Sequence, residues 1–308
     1  MSLFTFKTLS QKHVRQKRKG EIDVKRTSLI QELREIIAQE KGRGRKIALV
    51  PTMGYLHRGH LSLIEQAKQT GAFVVVSIFV NPLQFGPNED YSRYPRDLER
   101  DARLVEEAGV DALFHPTAEE MYPHPMVTYV EVGQLDSMLC GANRPGHFRG
   151  VATVVSKLFH IAQPDLAFFG QKDYQQYLII RRMVSDLNLP IKVCPVPIVR
   201  EGDGLALSSR NVFLTPEQRL EAVILSKSLN EAEKLILVGG QSARKIETLL
   251  RERINRESQG VIDYVEVRDA EDLSEVTDII RPVVMALAVR FGSTRLIDNK
   301  VVEVGTPC

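Results

Sequence analysis

Residues 47–67 read Ile-Ala-Leu-Val-Pro-Thr-Met-Gly-Tyr-Leu-His-Arg-Gly-His-Leu-Ser-Leu-Ile-Glu-Gln-Ala. The apolar run that opens this stretch predicts a buried strand, and the Pro-Thr-Met-Gly segment breaks that strand. Apolar residues then recur at helical spacing, at Leu61, Ile64 and Ala67. The stretch therefore predicts a strand, a turn and a helix that begins near His60.

A helix that begins at this turn favours a phosphate-binding site. Its free N–H groups and the positive end of its dipole point at the turn, and Gly54 and Gly59 let the backbone approach a phosphate. His57 and His60 are three residues apart, so both imidazoles can face one ligand and donate hydrogen bonds to phosphate oxygens. The alternative is that both histidines are ordinary surface or core residues, and spacing alone leaves the two interpretations open.

Composition and charge indicate an ordinary globular protein, neither disordered nor fibrous. The 308 residues are 43% apolar and 26% charged, and 41 basic against 39 acidic side chains leave a net charge of +2. This balance gives no reason to expect nucleic acid or a membrane surface as partner, and no apolar run reaches the roughly 18 residues of a membrane-spanning helix. Cys140, Cys194 and Cys308 are widely spaced and predict free thiols in a reducing compartment, so we expect a cytoplasmic protein.

The motif His57-x-Gly-His60 resembles the HxGH signature of the nucleotidyltransferase superfamily. The longer string Pro-Thr-Met-Gly-x-Leu-His-x-Gly-His is similar to one family within it, the pantothenate synthetases (pantoate–β-alanine ligases). Further matching segments extend over residues 21–299. The resemblance implies an α/β fold with a Rossmann-like, doubly wound parallel sheet and a smaller α/β C-terminal lid domain.

Three parts are predicted along the chain. Residues 1–20 carry six basic and no acidic side chains; they are interpreted as a disordered extension, with a targeting peptide or a nucleic-acid-binding arm as alternatives. Residues 21–198 are predicted to form the ATP- and pantoate-binding domain, beginning with a strand at 22–24. Residues 199–308 are predicted to form the lid, from two long amphipathic helices followed by strands at 262–267 and 283–291.

Two amide side chains follow closely on the predicted strand at 73–80. Ligands of open α/β sheets bind at the carboxyl ends of the strands, which makes Asn81 and Gln84 candidates, although Asn-Pro is also a common turn former. Amides both donate and accept hydrogen bonds, as a substrate with hydroxyls and a carboxylate requires. The resemblance implies that Gln84 contacts pantoate and β-alanine.

A second strand-to-helix turn, Gly-Gln-Lys-Asp-Tyr-Gln-Gln at residues 170–176, follows a strand predicted at 165–169. The ammonium group of Lys172 can neutralise charge on a triphosphate, and Asp173 can cap the following helix. The resemblance implies that Gln176 binds pantoate.

The segment Leu-Ser-Ser-Arg-Asn at residues 207–211 offers two hydroxyls and a guanidinium fork to phosphate. From the residues alone it is equally a loop before a helix near Thr215. The resemblance implies that it is the counterpart of the mobile Lys-Met-Ser-Lys-Ser loop of class I tRNA synthetases, with Arg210 in the place of a phosphate-binding lysine. A further glycine-rich, basic turn is predicted at 141–150, before a helix over 151–161. From the residues alone it is either an anion site at a helix N-terminus or an exposed loop, and the resemblance implies a supporting role.

The resemblance implies a full set of site residues. The catalytic residues are His60, as proton donor, with His57, Lys172 and Arg210. The ATP-binding residues are Met53, Gly54, Tyr55, Leu56, His57, Arg58, Gly59, His60, Gly170, Gln171, Lys172, Asp173, Val199, Leu207, Ser208, Ser209 and Arg210. Magnesium is expected beside ATP without assigned ligands, because Asp97, Glu99 and Asp101 are better explained as acids at a helix start, where the dipole favours them.

The expected reaction condenses (R)-pantoate with β-alanine and converts ATP to AMP and diphosphate, through a pantoyl adenylate, in the biosynthesis of pantothenate. The resemblance also implies a homodimer. One alternative is an adenylyltransferase that acts on phosphopantetheine or nicotinamide mononucleotide. Another is a non-catalytic protein that binds nucleotides, or binds nucleic acid through its basic extension.

Overall fold

The computed structural model of the protein describes residues 24–87 and 89–304. The predicted basic extension over 1–20, most of the strand predicted at 22–24 and Cys308 lie outside the described residues. The other two cysteines, Cys140 and Cys194, are free thiols, as predicted. Within the described part of the chain no helix has both the length and the apolar character needed to cross a membrane.

Six parallel strands form the larger sheet, in the order β1-β4-β3-β2-β5-β6. Their bounds are β1 (Lys25–Thr27), β2 (Ile47–Thr52), β3 (Phe73–Ile78), β4 (Ala112–Phe114), β5 (Leu166–Gly170) and β6 (Lys192–Val196). The predicted doubly wound parallel sheet is confirmed. The first described strand, β1, covers residues 25–27 and pairs with β4. Of the strand predicted at 22–24, only Val24 is described, and it is not part of a strand.

Seven helices accompany this sheet in the described residues: α1 (Ile30–Gly42), α2 (Arg58–Gln69), α3 (Leu98–Glu107), α4 (Ala118–Met121), α5 (Leu139–Asn143), α6 (His147–Ala162) and α7 (Tyr174–Asp186). Helices α1, α6 and α7 share one apolar cluster with Ile47 and Leu49 of β2, whereas α2 and α3 share another with Ala48 and Val50. Alternate residues of one strand thus enter opposite cores. Cover on both faces explains why the central strands read as continuous apolar runs.

Two helix starts differ from the predictions. Helix α2 begins at Arg58 because His57 takes the N-cap position, two residues before the predicted start. Helix α6 begins at His147, four residues before the predicted Val151, after a left-handed Gly146 with φ of +79°. Together with α5, which ends at Asn143, this makes most of the predicted basic turn at 141–150 helical and places Arg149 in the first turn of α6.

The C-terminal part contains a three-stranded antiparallel sheet in the order β7-β8-β9. Its elements are α8 (Pro216–Glu221), α9 (Ile224–Val238), α10 (Ala243–Glu257), β7 (Val261–Asp269), β8 (Val283–Phe291) and β9 (Thr294–Val302). The prediction of two helices and two strands was incomplete. The helix start predicted near Thr215 is confirmed, since Thr215 is the N-cap of α8, but the one long helix predicted from there is divided into α8 and α9. The prediction missed β9 because the buried Asp298 and Asn299 interrupt the apolar pattern of that strand.

The two sheets are joined by packing and by an ion pair. Tyr264 of β7 and Val284 of β8 belong to the same apolar cluster as α6 and α7. The guanidinium of Arg200, just after the parallel sheet, donates to both carboxylate oxygens of Asp298 at 2.7 and 2.9 Å. The C-terminal part therefore lies against the carboxyl end of β5, next to the turn that carries Lys172.

Candidate active site

The site lies where the strand order of the larger sheet reverses. Neighbouring strands β2 and β5 lead into α2 and α7, and the chain continues from them toward opposite edges of the sheet. In open α/β sheets this switch point leaves a crevice at the carboxyl ends of the strands. The predicted HxGH turn and the predicted lysine turn both open into it.

A buried carboxylate shapes the HxGH turn. Gly54, with φ of +83°, and Tyr55, with φ of 49°, turn the chain sharply after β2. The carboxylate of Asp101, on α3, accepts the Tyr55 N–H at 2.6 Å and the Leu56 N–H at 2.8 Å. Asp101 is only 1% exposed, and burial raises its pKa above the ordinary value. The acid that suggested a metal ligand in the sequence thus holds the turn's backbone.

Local hydrogen bonds determine how the two histidines present themselves. The Nδ1 atom of His57 accepts the Gly59 N–H at 3.1 Å, and the Nδ1 atom of His60 accepts the His57 N–H at 3.3 Å. Each Nδ1 is therefore unprotonated, and each neutral ring carries its proton on Nε2. The ring centroids lie 4.0 Å apart. The turn presents two adjacent N–H donors to the crevice.

Both imidazoles are neutral at physiological pH. Loss of solvent lowers the pKa of His57 to about 4, and the nearby Lys172 ammonium contributes to the same shift. Burial also lowers the pKa of His60 well below its ordinary value, with smaller contributions from His57 and Lys172. Neutral donors beside an ammonium group suit a ligand of high negative charge, because they add hydrogen bonds without repelling the lysine.

Close packing fixes the first histidine further. A Cβ atom on Gly59 would lie 2.9 Å from Cε1 and 3.0 Å from Nδ1 of His57. Real Cβ atoms do not approach so closely, so any side chain at residue 59 would displace the imidazole. Glycine is required here for close approach to a side chain, in addition to the predicted approach of backbone to ligand.

The amides after β3 form a buried network beside the histidines. The Nδ2 group of Asn81 donates to Gln84 Oε1 at 3.1 Å, and Gln84 Nε2 lies 3.3 Å from the sulfur of Met53. Asn81 is 1% and Gln84 8% exposed. His147 donates through Nδ1 to the backbone carbonyl of Gln84 at 2.7 Å. The basic turn predicted at 141–150 therefore supports Gln84.

The lysine turn is held from the C-terminal part of the chain. The side-chain amide of Asn299, on β9, donates to the carbonyls of Gln171 at 3.0 Å and Lys172 at 2.8 Å. Asp173 occupies the N-cap position of α7 but makes no side-chain cap hydrogen bond there. Its exposed carboxylate instead lines the crevice. Sequence reasoning missed Asn299, whose signal was a polar pair within an otherwise apolar segment.

The Ser-Ser-Arg segment forms a single short helical turn, Ser209–Phe213, whose N-cap is Ser208. The hydroxyls of Tyr94 and Ser209 lie 3.2 Å apart. Arg210 forms a two-point ion pair with Asp90, at 3.0 Å from Nε and 3.1 Å from Nη2. The loop after β3 therefore contacts this segment directly.

Two adjoining cavities fill the crevice. The inner cavity, of about 220 Å³, is lined by most of the predicted residues, namely Met53, His57, Gly59, His60, Gln84, Gly170, Lys172, Asp173, Gln176, Val199, Leu207, Ser208, Ser209 and Arg210. The outer one, of about 670 Å³, shares Lys172, Asp173, Gln176, Ser208 and Arg210 with it and reaches the C-terminal sheet. Five predicted ATP-binding residues line neither cavity: Gly54, Tyr55, Leu56, Arg58 and Gln171.

No cluster of three or more histidine, cysteine or acidic side chains able to hold a metal exists among residues 24–87 and 89–304. Asp173 contributes a single carboxylate to the crevice. Magnesium is commonly held by one or two carboxylates together with substrate phosphates. The donor set therefore fits an ion that arrives with a phosphate ligand.

Comparison with known proteins decides the family. The family model described as pantoate–β-alanine ligase matches residues 25–301. The chain belongs to the pantoate–β-alanine ligase family. It is 66% identical to the pantothenate synthetase of Desulfitobacterium hafniense, over 89% of this chain and 97% of that protein. It is 58% identical to that of Acetivibrio thermocellus, over 89% and 98% of the two chains.

Solved structures of the family have the same fold. The crystal structure of pantothenate synthetase from Thermus thermophilus is 49% identical, covers 90% of this chain and 99% of its own, and gives a TM-score of 0.85. A pantoate–β-alanine ligase from Francisella tularensis, crystallised with "Beta-gamma ATP" and β-alanine, is 33% identical, covers 92% and 99%, and gives a TM-score of 0.74. The predicted family, ligase activity and place in pantothenate biosynthesis are confirmed.

Proposed function

We propose that the chain condenses (R)-pantoate with β-alanine through a pantoyl adenylate, with ATP converted to AMP and diphosphate in the crevice between β2 and β5. The observation that carries this proposal is the inner cavity. Two neutral Nε2–H donors and one ammonium group lie beside two amide side chains, Gln84 and Gln176. The relative from Francisella tularensis, crystallised with "Beta-gamma ATP" and β-alanine, supports the choice of ligands.

In the first proposed step, a carboxylate oxygen of pantoate attacks the α-phosphorus of ATP. The bond from this phosphorus to the bridging oxygen breaks, and diphosphate leaves. His57, His60 and Lys172 stabilise charge on the α-phosphate, because fixed donors in a desolvated site favour the developing charge. The three residues Ser208, Ser209 and Arg210 stabilise the diphosphate.

In the second proposed step, the free amine of β-alanine attacks the acyl carbon of pantoyl adenylate and loses a proton. The carbon–oxygen bond to AMP breaks as the amide forms. His60 is the proposed proton donor. Its low pKa makes it a neutral hydrogen-bond donor in the free protein, and the negative charge of the adenylate phosphate, which is still bound in this step, raises that pKa toward the range of a proton donor.

Substrate recognition is proposed to be divided between residues that follow β3 and residues that follow β5. Gln84 binds pantoate and β-alanine, and Gln176 binds pantoate. The adenosine part of ATP lies against Met53, Gly170, Val199 and Leu207. The remaining predicted residues of the two turns are proposed to contribute to the ATP site through the shape of the turns, and Asp173 through its carboxylate. The former residues are Gly54, Tyr55, Leu56, Arg58, Gly59 and Gln171.

Magnesium is proposed to arrive with ATP, where Asp173 would help to hold it and the ion would offset charge on the departing diphosphate. A homodimer and a cytoplasmic location are also proposed, from the resemblance to the family. The division at residue 198 into a nucleotide domain and a lid remains a proposal as well, with the lid closing over the crevice to exclude water that would hydrolyse the adenylate.

A substrate panel tests the function. Diphosphate release is measured with ATP and magnesium, with and without (R)-pantoate and β-alanine, and products are identified by mass spectrometry. Pantothenate and AMP are expected only when all three substrates are present. Release that depends on phosphopantetheine or nicotinamide mononucleotide, and not on pantoate, would contradict the proposal and favour another adenylyltransferase.

A further inference from the structure

Two consecutive acids in the loop between β3 and α3 each hold one arginine of the crevice. Glu89 pairs with Arg144 through both carboxylate oxygens, at 2.6 Å each. Asp90 pairs with Arg210 in the same two-point manner. The two arginines come from separate regions of the chain, the end of α5 and the Ser-Ser-Arg turn. One short loop therefore positions cations on two walls of the cavity.

Asp90 contacts only one edge of the Arg210 guanidinium. The carboxylate occupies the side edge of the guanidinium, formed by Nε and Nη2. A guanidinium has five N–H groups in a fixed fork, so two on Nη1 and one on Nη2 remain for another ligand. The pair leaves the end edge of Arg210 available, and that residue lines both cavities.

Tyr94 from the same loop fixes the arginine and its neighbour a second time. The Arg210 guanidinium carbon lies 5.7 Å from the centre of the Tyr94 ring, and the Tyr94 hydroxyl lies 3.2 Å from the Ser209 hydroxyl. Tyr94 is 5% exposed and Ser209 8%. The Asp90 carboxylate thus orients a guanidinium that also contacts the Tyr94 ring, next to a Ser209 hydroxyl that contacts the Tyr94 hydroxyl.

We propose that Asp90 is a positioning residue for the adenylation step. It acts through Arg210 by holding the side edge of the guanidinium, so that the end edge meets the diphosphate group as its charge develops. The inference rests on the proposed function, because it requires Arg210 to stabilise departing diphosphate. The guanidinium of Arg210 binds diphosphate strongly only when its planar fork is correctly oriented. Loss of the Asp90 carboxylate is therefore expected to weaken stabilisation of the transition state more than binding of ATP in the ground state.

The test substitutes Asp90→Asn. The amide retains the shape of the side chain but can accept only one of the two N–H groups, so the guanidinium loses its fixed edge while keeping its charge. We expect kcat for pantoate-dependent diphosphate release to fall about tenfold and KM for ATP to stay within about threefold of the wild type. The conservative Asp90→Glu is expected to recover most of the lost kcat, since it restores both acceptors.

The double variant tests whether Asp90 acts through Arg210. In an Arg210→Lys background the orienting edge is absent, so adding Asp90→Asn is expected to change kcat by less than about twofold. The matched control is Asp186→Asn, which breaks an exposed pair with Arg182 on α7, remote from the crevice. This control is expected to leave both kinetic constants unchanged, and urea unfolding checks that every variant is folded.

Several outcomes would overturn the inference. A raised KM for ATP at unchanged kcat would make Asp90 part of ground-state binding, and a raised kcat would make it a restraint on Arg210. Equal losses in wild-type and Arg210→Lys backgrounds would mean that Asp90 acts elsewhere. If the wild type itself releases no pantoate-dependent diphosphate, the proposed function fails, an outcome distinct from all of these.

Discussion

At the scale of single residues, the chemistry of the crevice depends on which ring nitrogen of each histidine carries the proton. The Gly59 N–H donates to Nδ1 of His57, and the His57 N–H donates to Nδ1 of His60. Both rings therefore direct Nε2–H groups toward ligand, and their lowered pKa values keep them neutral. The HxGH spacing is the direct cause, because the second histidine is the third residue of the helix that the first one caps.

Replacing His60 tests this donor role. His60→Ala is expected to lower kcat for adenylate formation by about 10²- to 10³-fold, the usual effect of removing one donor to a developing oxyanion. Diphosphate release with pantoate and ATP measures the effect, and circular dichroism checks the fold. The control is His124→Ala, an exposed histidine outside both cavities. Activity close to the wild type in His60→Ala would remove the residue from the mechanism.

The sequence predicted the residues of the crevice that belong to local motifs. HxGH and the Lys172 turn each combine a strand end with a helix start, and both were found from spacing and resemblance. Asp101 and Asn299 could not be assigned in this way. Their partners are backbone groups more than 40 residues distant, and a pattern along the chain does not reveal which carbonyl or N–H will lie opposite a side chain.

At the scale of elements, the HxGH turn is held to its position by a neighbouring helix. Asp101 of α3 satisfies two successive N–H groups of the turn, and Arg100 donates to the Leu56 carbonyl at 2.8 Å. A buried carboxylate that accepts two backbone N–H groups fixes both of them. Helix α3 therefore holds the backbone that leads into α2.

Asp101→Asn tests the contribution of that helix. The amide can accept one N–H but leaves the other unsatisfied in a buried site, which costs about 1–3 kcal/mol. The free energy of unfolding in urea is expected to fall by this amount. Glu99→Gln, in the same turn with a side chain 77% exposed, is the control and should change it little. An unchanged value in Asp101→Asn would show that the turn is stable without α3.

Helices and strands were predicted correctly where their apolar residues recur at regular spacing without interruption. The strands at the centre of the sheet agree with the predictions to within a few residues, because burial on both faces leaves a long apolar run. Strand β9 was missed since Asp298 and Asn299 are buried for their hydrogen bonds, to Arg200 and the lysine turn. The earlier start of α6 depends on the left-handed Gly146, whose conformation no periodicity encodes.

At the scale of the whole molecule, the crevice concentrates histidines that fold in the neutral form. Burial lowers the pKa of His57 and of His147 to about 4 and shifts that of His60 in the same direction. At pH values below about 6.5, the ordinary pKa of histidine, the unfolded chain therefore binds more protons than the folded protein. The contribution of these histidines to stability is therefore fully present above about pH 6.5 and is lost as the pH falls toward 4.

His147→Gln tests this dependence. His147 accepts from Arg144 through Nε2 at 3.0 Å and donates to Gln84 through Nδ1, so a proton on Nε2 would face a guanidinium. Between pH 7 and pH 5 the free energy of unfolding of the variant is expected to fall by roughly 2 kcal/mol less than that of the wild type. Urea titrations at both pH values measure the difference. The same pH dependence in both proteins would show that His147 titrates normally.

The central claim is that a pantoate oxygen attacks the α-phosphorus of ATP in the crevice between β2 and β5. The most direct measurement is a turnover with pantoate labelled with ¹⁸O in both carboxylate oxygens, followed by mass spectrometry of the products. The account predicts one ¹⁸O in AMP and one in the new amide carbonyl of pantothenate. Unlabelled AMP, or ¹⁸O in phosphate released beside ADP, would contradict it.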